Sequence, residues 1–232
     1  MKAVAVVPGK RQVQLIEQEP PRLGSPTQVG LRMLEVGVCG TDREICAFQY
    51  GTPPAGSEHL VIGHESLGQV VEVGPVVTMV RRPCAHAECV ACRAGRQDFC
   101  FTADFSERGI KNLHGFMTET VVDEERYMHL VPAALREVAV LVEPLTIAEK
   151  ALIQVDQVQQ RLPWACEIEP GKPRTACHRA VVLGAGPVGL LGAMALAAAG
   201  YDTSVYSRER APNPKADLVA AIGGHYYSAE ET

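Results

Sequence analysis

Two sets of residues in this chain have the side-chain types and spacing to hold a metal ion, and a third has the glycines to hold a phosphate. Four of the eight cysteines, Cys84, Cys89, Cys92 and Cys100, crowd into one short segment, while Cys39, Cys46, Cys166 and Cys177 are scattered. The amino terminus, Met1-Lys2-Ala3-Val4, runs straight into an apolar strand pattern without a signal-peptide layout, which favours the cytoplasm. In that setting close Cys-x2-Cys spacing reads as a metal site rather than a disulfide framework. Elsewhere the chain offers Cys39-Gly40-Thr41-Asp42, Gly63-His64-Glu65 and Glu143. Thiolate, imidazole and carboxylate are the ligands of a catalytic zinc, which keeps three protein donors and one open position. Taken singly, a buried cysteine or histidine is more often plain core, and a carboxylate before Pro144 can be a turn residue. The third set is Gly184-Ala185-Gly186-Pro187-Val188-Gly189.

The elements around these residues must place them. Residues 1–143 read as strand-rich, with β-branched runs at Ala3–Val7, Val29–Val36 and Gly68–Val73 punctuated by Pro/Gly pairs. Cys39 sits where an apolar strand gives way to a helix. The texture then changes. Leu145 to Leu162 has helical spacing, with Leu145, Ala148, Leu152 and Val155 on one face. Residues 163–179 read as a polar loop. Strands are expected at Ala180–Leu183, Thr203–Tyr206 and His225–Tyr227, separated by helices at Pro187–Ala199 and Pro214–Ile222. That alternation opens a doubly wound parallel sheet. The glycine turn lies between its first strand and first helix, the setting in which GxGxxG carries meaning. There Gly184 permits the turn, Gly186 lets backbone approach a pyrophosphate, and Gly189 allows close helix–strand packing. The helix start at Pro187 and Val188 offers unpaired N–H groups to phosphates. The second strand ends in Ser207-Arg208, which suit a 2′-phosphate and hence NADP. Glu209 keeps NAD open as an alternative, and Asp202 falls before the strand, at its wrong end.

The segment Gly63-His64-Glu65, followed by Gly68, Gly74 and Val77, spells GHE-x2-G-x5-G-x2-V. With the Cys39 segment it resembles the signature of the zinc-dependent medium-chain dehydrogenases. The segments Val80 to Pro83, Glu107 to Ile110, His114 to Glu119 and Leu141 to Lys150 look like the glucose dehydrogenase branch of that family. The resemblance implies a GroES-like β-rich catalytic domain, 1–143, and the first half of a Rossmann domain, 144–232. It implies that Cys39 and His64 ligate a catalytic zinc, completed by Glu65 or Glu143 directly or through water. Thr41 would pass the substrate proton, and Asp42 would orient His64. Cys89, Cys92 and Cys100 would hold a structural zinc with Cys84, or with His86 as the alternative fourth ligand; thiols whose metal has been lost are the plainer reading. Glu119 would sit in the substrate pocket and accept sugar hydroxyls, unless it is simply an exposed strand residue.

The function expected from this resemblance is oxidation at C1 of an aldose such as glucose or galactose to the lactone, with hydride passing to NADP. Another polyol or alcohol dehydrogenase of the same superfamily is one alternative. A shortened, non-catalytic zinc- or nucleotide-binding remnant is the other, because the sequence stops at Thr232 after one mononucleotide half. On that expectation the polypeptide alone has low stability and weak or absent activity. The formal net charge of -5 argues against phosphate-backbone binding and so against a nucleic-acid partner. The most apolar stretch, Val181 to Gly200, is broken by five glycines and a proline, so no membrane span is expected. The partner is then a small sugar or polyol, and full-length relatives are expected to be homo-oligomers.

Overall fold

A computed structural model describes residues 1–70, 73–162 and 177–229. The loop expected at 163–179 lies largely outside these residues, as does Cys166. The described residues form two compact units, Met1–Glu143 and Pro144–Thr232.

The first unit is strand-rich. Its elements are β1 (Lys2–Val7), β2 (Gln12–Glu17), β3 (Gln28–Gly37), α1 (Gly40–Cys46), β4 (Leu60–Val61), β5 (Glu65–Val70), β6 (Gly74–Thr78), β7 (Arg81–Arg82), α2 (Val90–Arg93), β8 (Ser106–Arg108), β9 (Asn112–Leu113), β10 (Thr120–Glu124) and β11 (Met128–Leu130). A five-stranded antiparallel sheet runs β10-β3-β5-β6-β11, and a smaller one β2-β1-β4. Alternate residues of these strands bury Leu31, Val70 and Val76 in one cluster and Val6, Leu60 and Ile62 in another, the latter sealed by Ile45 of α1. The register between β3 and β5 shifts between Met33 and Glu35, then ends on the pair Gly37 and Glu65. This bulged end of the ladder matters, because Cys39 and His64 flank it.

The second unit is α/β. Helix α3 (Val142–Gln159) starts three residues earlier than its spacing suggested. Pro144 is tolerated in its first turn, where the missing N–H has no intrahelical partner to lose. Strands β12 (Arg179–Leu183), β13 (Asp202–Ser207) and β14 (His225–Ser228) pair in parallel in that order. The crossovers carry α4 (Pro187–Ala198) and α5 (Pro214–Ala221). Asp202 opens β13 rather than preceding it, and still lies at the end opposite Ser207. Ala185, Ala193, Val205 and Val219 form this unit's core. Among the described residues no helix is long and apolar enough to cross a membrane.

Candidate metal centres and nucleotide turn

Cys39 occupies the N-cap of α1. Its Sγ accepts the Thr41 N–H at 3.3 Å, and its own N–H donates to Asp42 Oδ2 at 3.0 Å, a reciprocal capping box built on sulfur. The other Asp42 oxygen accepts the Gly63 N–H at 3.3 Å. One carboxylate therefore ties the residue before His64 to the helix that presents Cys39. His64 Nε2 lies 3.3 Å from Cys39 Sγ. Its Nδ1 is buried with no hydrogen-bond partner among the described residues, and Asp42 Oδ1 stands 3.6 Å away. That is an ion-pair distance, too long for a hydrogen bond.

The donor atoms of Cys39, His64 and Glu65 all lie within 4.8 Å of one another. Around a tetrahedral zinc, sulfur and nitrogen ligands stand about 3.5 Å apart. The donor set and its spacing thus fit that ion. Glu143 is not in this group of three, but its charge acts on His64 and Glu65, so it lies in the same electrostatic cluster.

The electrostatics are those of a dehydrated, anion-rich pocket. Burial pushes the Cys39 thiol up, and Asp42 adds to the rise against hydrogen bonds from Asp42 and Thr41. Burial pushes His64 down, yet Asp42, with Glu143 and Glu65, outweighs it and holds the imidazole above its ordinary value. Burial likewise opposes Asp42, whose carboxyl still falls because His64 and the N–H groups of Cys39 and Gly63 favour its charge. Burial raises Glu143, helped by Glu65 and Asp42 against His64. Buried carboxylates around one imidazole and one thiol are costly together unless a cation shares the space.

The glycine before His64 is demanded by its surroundings. Gly63 has φ +86°, and a Cβ there would meet Met117 Cγ at 2.6 Å and Val36 Cγ1 at 2.8 Å. Gly109 and Gly115 in turn have no room for a Cβ against the Gly63 carbonyl. Three glycine backbones pack together immediately before the histidine.

The four crowded cysteines form a second centre, with all four sulfurs within 4.8 Å of one another. Cys89 and Cys100 stand 3.9 Å apart, and the Cys84 N–H donates to Cys92 Sγ at 3.4 Å. The Thr102 hydroxyl draws Cys100 down to about 6, while loss of hydration pushes Cys92 up to about 12. Four sulfurs this close together suit a shared cation. His86 is not in the group. Its Nε2 pairs with Asp104 Oδ2 at 2.8 Å and its Nδ1 with Glu88 at 3.3 Å, on the surface. Of the two candidates for the fourth position, the structure brings in Cys84.

In the second unit the glycine turn is built as its spacing suggested. Gly184 has φ +104° with open space around it, and Gly186 also faces open space. A Cβ on Gly189 would run into the Gly184 carbonyl. Pro187 takes the first turn of α4, with Gly186 as N-cap and Val188 exposed beside it. The cradle is open where a phosphate would need it and closed where helix meets strand. At the end of β13 Ser207 Oγ accepts the Glu209 N–H at 3.5 Å, and Arg208 is exposed. The Glu209 carboxylate is engaged by Lys215 at 2.5 Å.

Comparison with known proteins agrees with this geometry. Residues 25–133 match the family model of the alcohol dehydrogenase GroES-like domain, and residues 136–232 that of the glucose dehydrogenase C-terminus. The chain belongs to the zinc-dependent medium-chain dehydrogenases, in their glucose dehydrogenase branch. All of it aligns with a glucose 1-dehydrogenase of Methanocella arvoryzae at 42% identity, covering 64% of that protein. A glucose 1-dehydrogenase of Metallosphaera sedula is 36% identical over 100% of the chain and 65% of its own length. The structure of Haloferax mediterranei glucose dehydrogenase in complex with NADP, Zn and gluconolactone superposes with a TM-score of 0.83 at 33% identity, over 100% of this chain and 65% of that one. The chain thus spans just under two thirds of these relatives' length.

Within this dehydrogenase frame one residue expected at the substrate pocket makes its bond outside the metal cluster. Glu119 is exposed, and its Oε2 accepts the Lys2 N–H at 3.2 Å. The Ala3–Thr118 bridge and the bond from Met33 N to the Glu119 carbonyl fix its backbone between β1 and β3, which turns the side chain to the edge of β1. Other residues escaped the sequence reading. Gly109 and Gly115 shape the approach to His64, and their signal was a pair of glycines around one short strand. Asp123 joins Arg82 at 2.6 Å and Arg108 at 3.0 Å in a buried network with no periodic or motif signature.

Proposed function

We propose that this chain carries the zinc-binding catalytic domain and part of the nucleotide-binding domain of an NADP-dependent aldose 1-dehydrogenase. The reaction is hydride transfer from C1 of glucose or galactose to the nicotinamide, giving the aldonolactone. The observation that carries the reading is the convergence of Cys39 Sγ, His64 Nε2 and the Glu65 carboxylate within 4.8 Å. Zinc held there would supply Lewis acidity to a substrate hydroxyl. Cys39 and His64 would hold the ion, and Glu65 or Glu143, whose charge acts on His64, would complete the set directly or through water. Thr41, whose N–H donates to Cys39 Sγ, would take the substrate proton with its hydroxyl. Asp42 positions His64. Polar acceptors at such a pocket suit a polyol better than an apolar alcohol.

Cys84, Cys89, Cys92 and Cys100 hold a second, structural zinc. Gly184, Gly186, Pro187, Val188 and Gly189 cradle the pyrophosphate. Ser207 and Arg208 take the 2′-phosphate, and the engagement of Glu209 with Lys215 supports NADP over NAD. The solved Haloferax mediterranei relative is in complex with NADP and Zn, which supports the cofactor assignment. The test pairs zinc content per chain with NADP(H) titration, then a panel of glucose, galactose, sorbitol and short alcohols. Two zinc ions, NADP binding and aldose turnover are expected. Turnover of short alcohols in preference to aldoses would move the assignment to another branch.

A further inference from the structure

We propose that Gly37 is a positioning residue for the metal centre: its missing side chain is the space into which the Glu65 carboxylate folds. The inference rests on the reading of Cys39, His64 and Glu65 as a metal site. Gly37 ends β3 and is the direct cross-strand partner of Glu65, which begins β5. Opposed residues of an antiparallel pair send their side chains to the same face, about 5 Å apart. A Cβ added to Gly37 would overlap Glu65 Oε2 and would lie 2.9 Å from its Cβ and 3.1 Å from its Cδ. The Glu65 side chain therefore lies back across its partner's Cα, with its carboxylate beside Cys39 and His64.

The need for glycine here is one of space and not of backbone. Gly37 is not among the glycines with positive φ, whereas Gly63 is, at +86°. Any residue could adopt the backbone at 37, yet none but glycine leaves room for the carboxylate. A glycine inside a strand also costs stability relative to larger residues. That cost is balanced here by the placement of Glu65. Because Cys39 follows Gly37 by two residues and Glu65 follows His64 directly, one bare Cα sets the register of all three donors.

The experiment measures zinc affinity by chelator competition in Gly37→Ala, Glu65→Gln and the double variant, with the four-cysteine centre as an internal control. Gly37→Ala is expected to weaken the ion at Cys39 by about 10- to 100-fold, in the range of a lost supporting contact. Retention at the cysteine lobe should be unchanged. The double variant should lose no more than Glu65→Gln alone, since both act through one carboxylate. Wild-type affinity in Gly37→Ala, or losses that simply add, would overturn the proposal. If Gly37→Ala does not fold, Glu65→Gly in the same background should restore folding, because the new methyl then meets neither the carboxylate nor the Cβ of residue 65. Failure of that pair to fold overturns it too. Loss of no ion on Cys39→Ser in the wild type would show instead that the metal reading itself is wrong, and both fall together.

Discussion

At the residue scale the centre depends on one buried carboxylate more than its chemistry suggests. Asp42 is 1% exposed and serves the Cys39 N–H, the Gly63 N–H and the His64 ring at once. Two of those are backbone groups that fix where the ligands stand, and the third sets how strongly the imidazole donates. Asp42→Asn keeps the shape, removes the charge, and leaves one oxygen where there were two. His64 should then lose the influence that offsets its burial. Zinc at Cys39 is expected to bind about 10- to 100-fold more weakly, the usual cost of a lost supporting partner. Competition with a metal-sensing dye reads this directly, and equal affinity in the two proteins would rule the role out. The motif made Asp42 legible as a partner of His64. Its backbone duties were not legible, because they depend on Gly63 lying against α1, a contact made across 21 residues of chain.

At the element scale the glycine turn separates binding from folding. A Cβ at Gly186 meets nothing within 4 Å, whereas one at Gly189 meets the Gly184 carbonyl. Gly186→Ala should melt at the wild-type temperature and lose NADP(H) affinity, read by fluorescence titration. Gly189→Ala should lose stability by about 1–3 kcal/mol, the usual range for overpacking, and lose binding with it. The cysteine lobe makes a parallel case. It is held by α2 and two short turns, and its one fully buried side chain is Cys89, so a bound ion would have to supply the ordering that packing does not. Cys92→Ser is expected to lower zinc from two ions per chain to one and to open residues 84–104 to proteases, with the Cys39 site still loaded. Two ions retained by the variant would contradict it. Both elements were legible because their signals are local: a glycine turn between strand and helix, and thiols a few residues apart. The bond from the Lys2 N–H to Glu119 was not, because it joins residues 117 apart in the chain.

At the scale of the whole molecule, the first unit should respond to acid through a pair of stacked histidines. His59 and His114 lie face to face, with ring centroids 5.0 Å apart and planes 16° apart. The His114 Nδ1 accepts the Val61 N–H at 3.2 Å, and the His114 carbonyl accepts from Arg108 at 3.0 Å. Arg108 in turn reaches Asp123 and the Val122 carbonyl, so His114, by its ring and its carbonyl together, joins β4 to β8 and β10. Burial, then His59 and Arg108, holds His114 below its ordinary 6.5. The folded protein therefore resists a proton that the unfolded chain accepts. Stability contributed by the neutral ring is complete above 6.5 and is lost as pH falls from there toward the depressed folded value. Asp42 acts in a separate and lower window, since its lowered carboxyl stabilises the fold above 3.8 and fails only beneath it. His64, held above its ordinary value, gains from acid over the same range, so the His114 contribution is read as a downward limb in urea midpoints, from neutrality to about pH 5, against that common background. In His114→Asn, which keeps an acceptor for the Val61 N–H and cannot titrate, the same limb should flatten. An unchanged slope would mean that the acid response arises elsewhere in the sheet. Loss of the slope would isolate His114 as its source, whereas loss of the ring stacked on His59 would lower the midpoint at every pH alike.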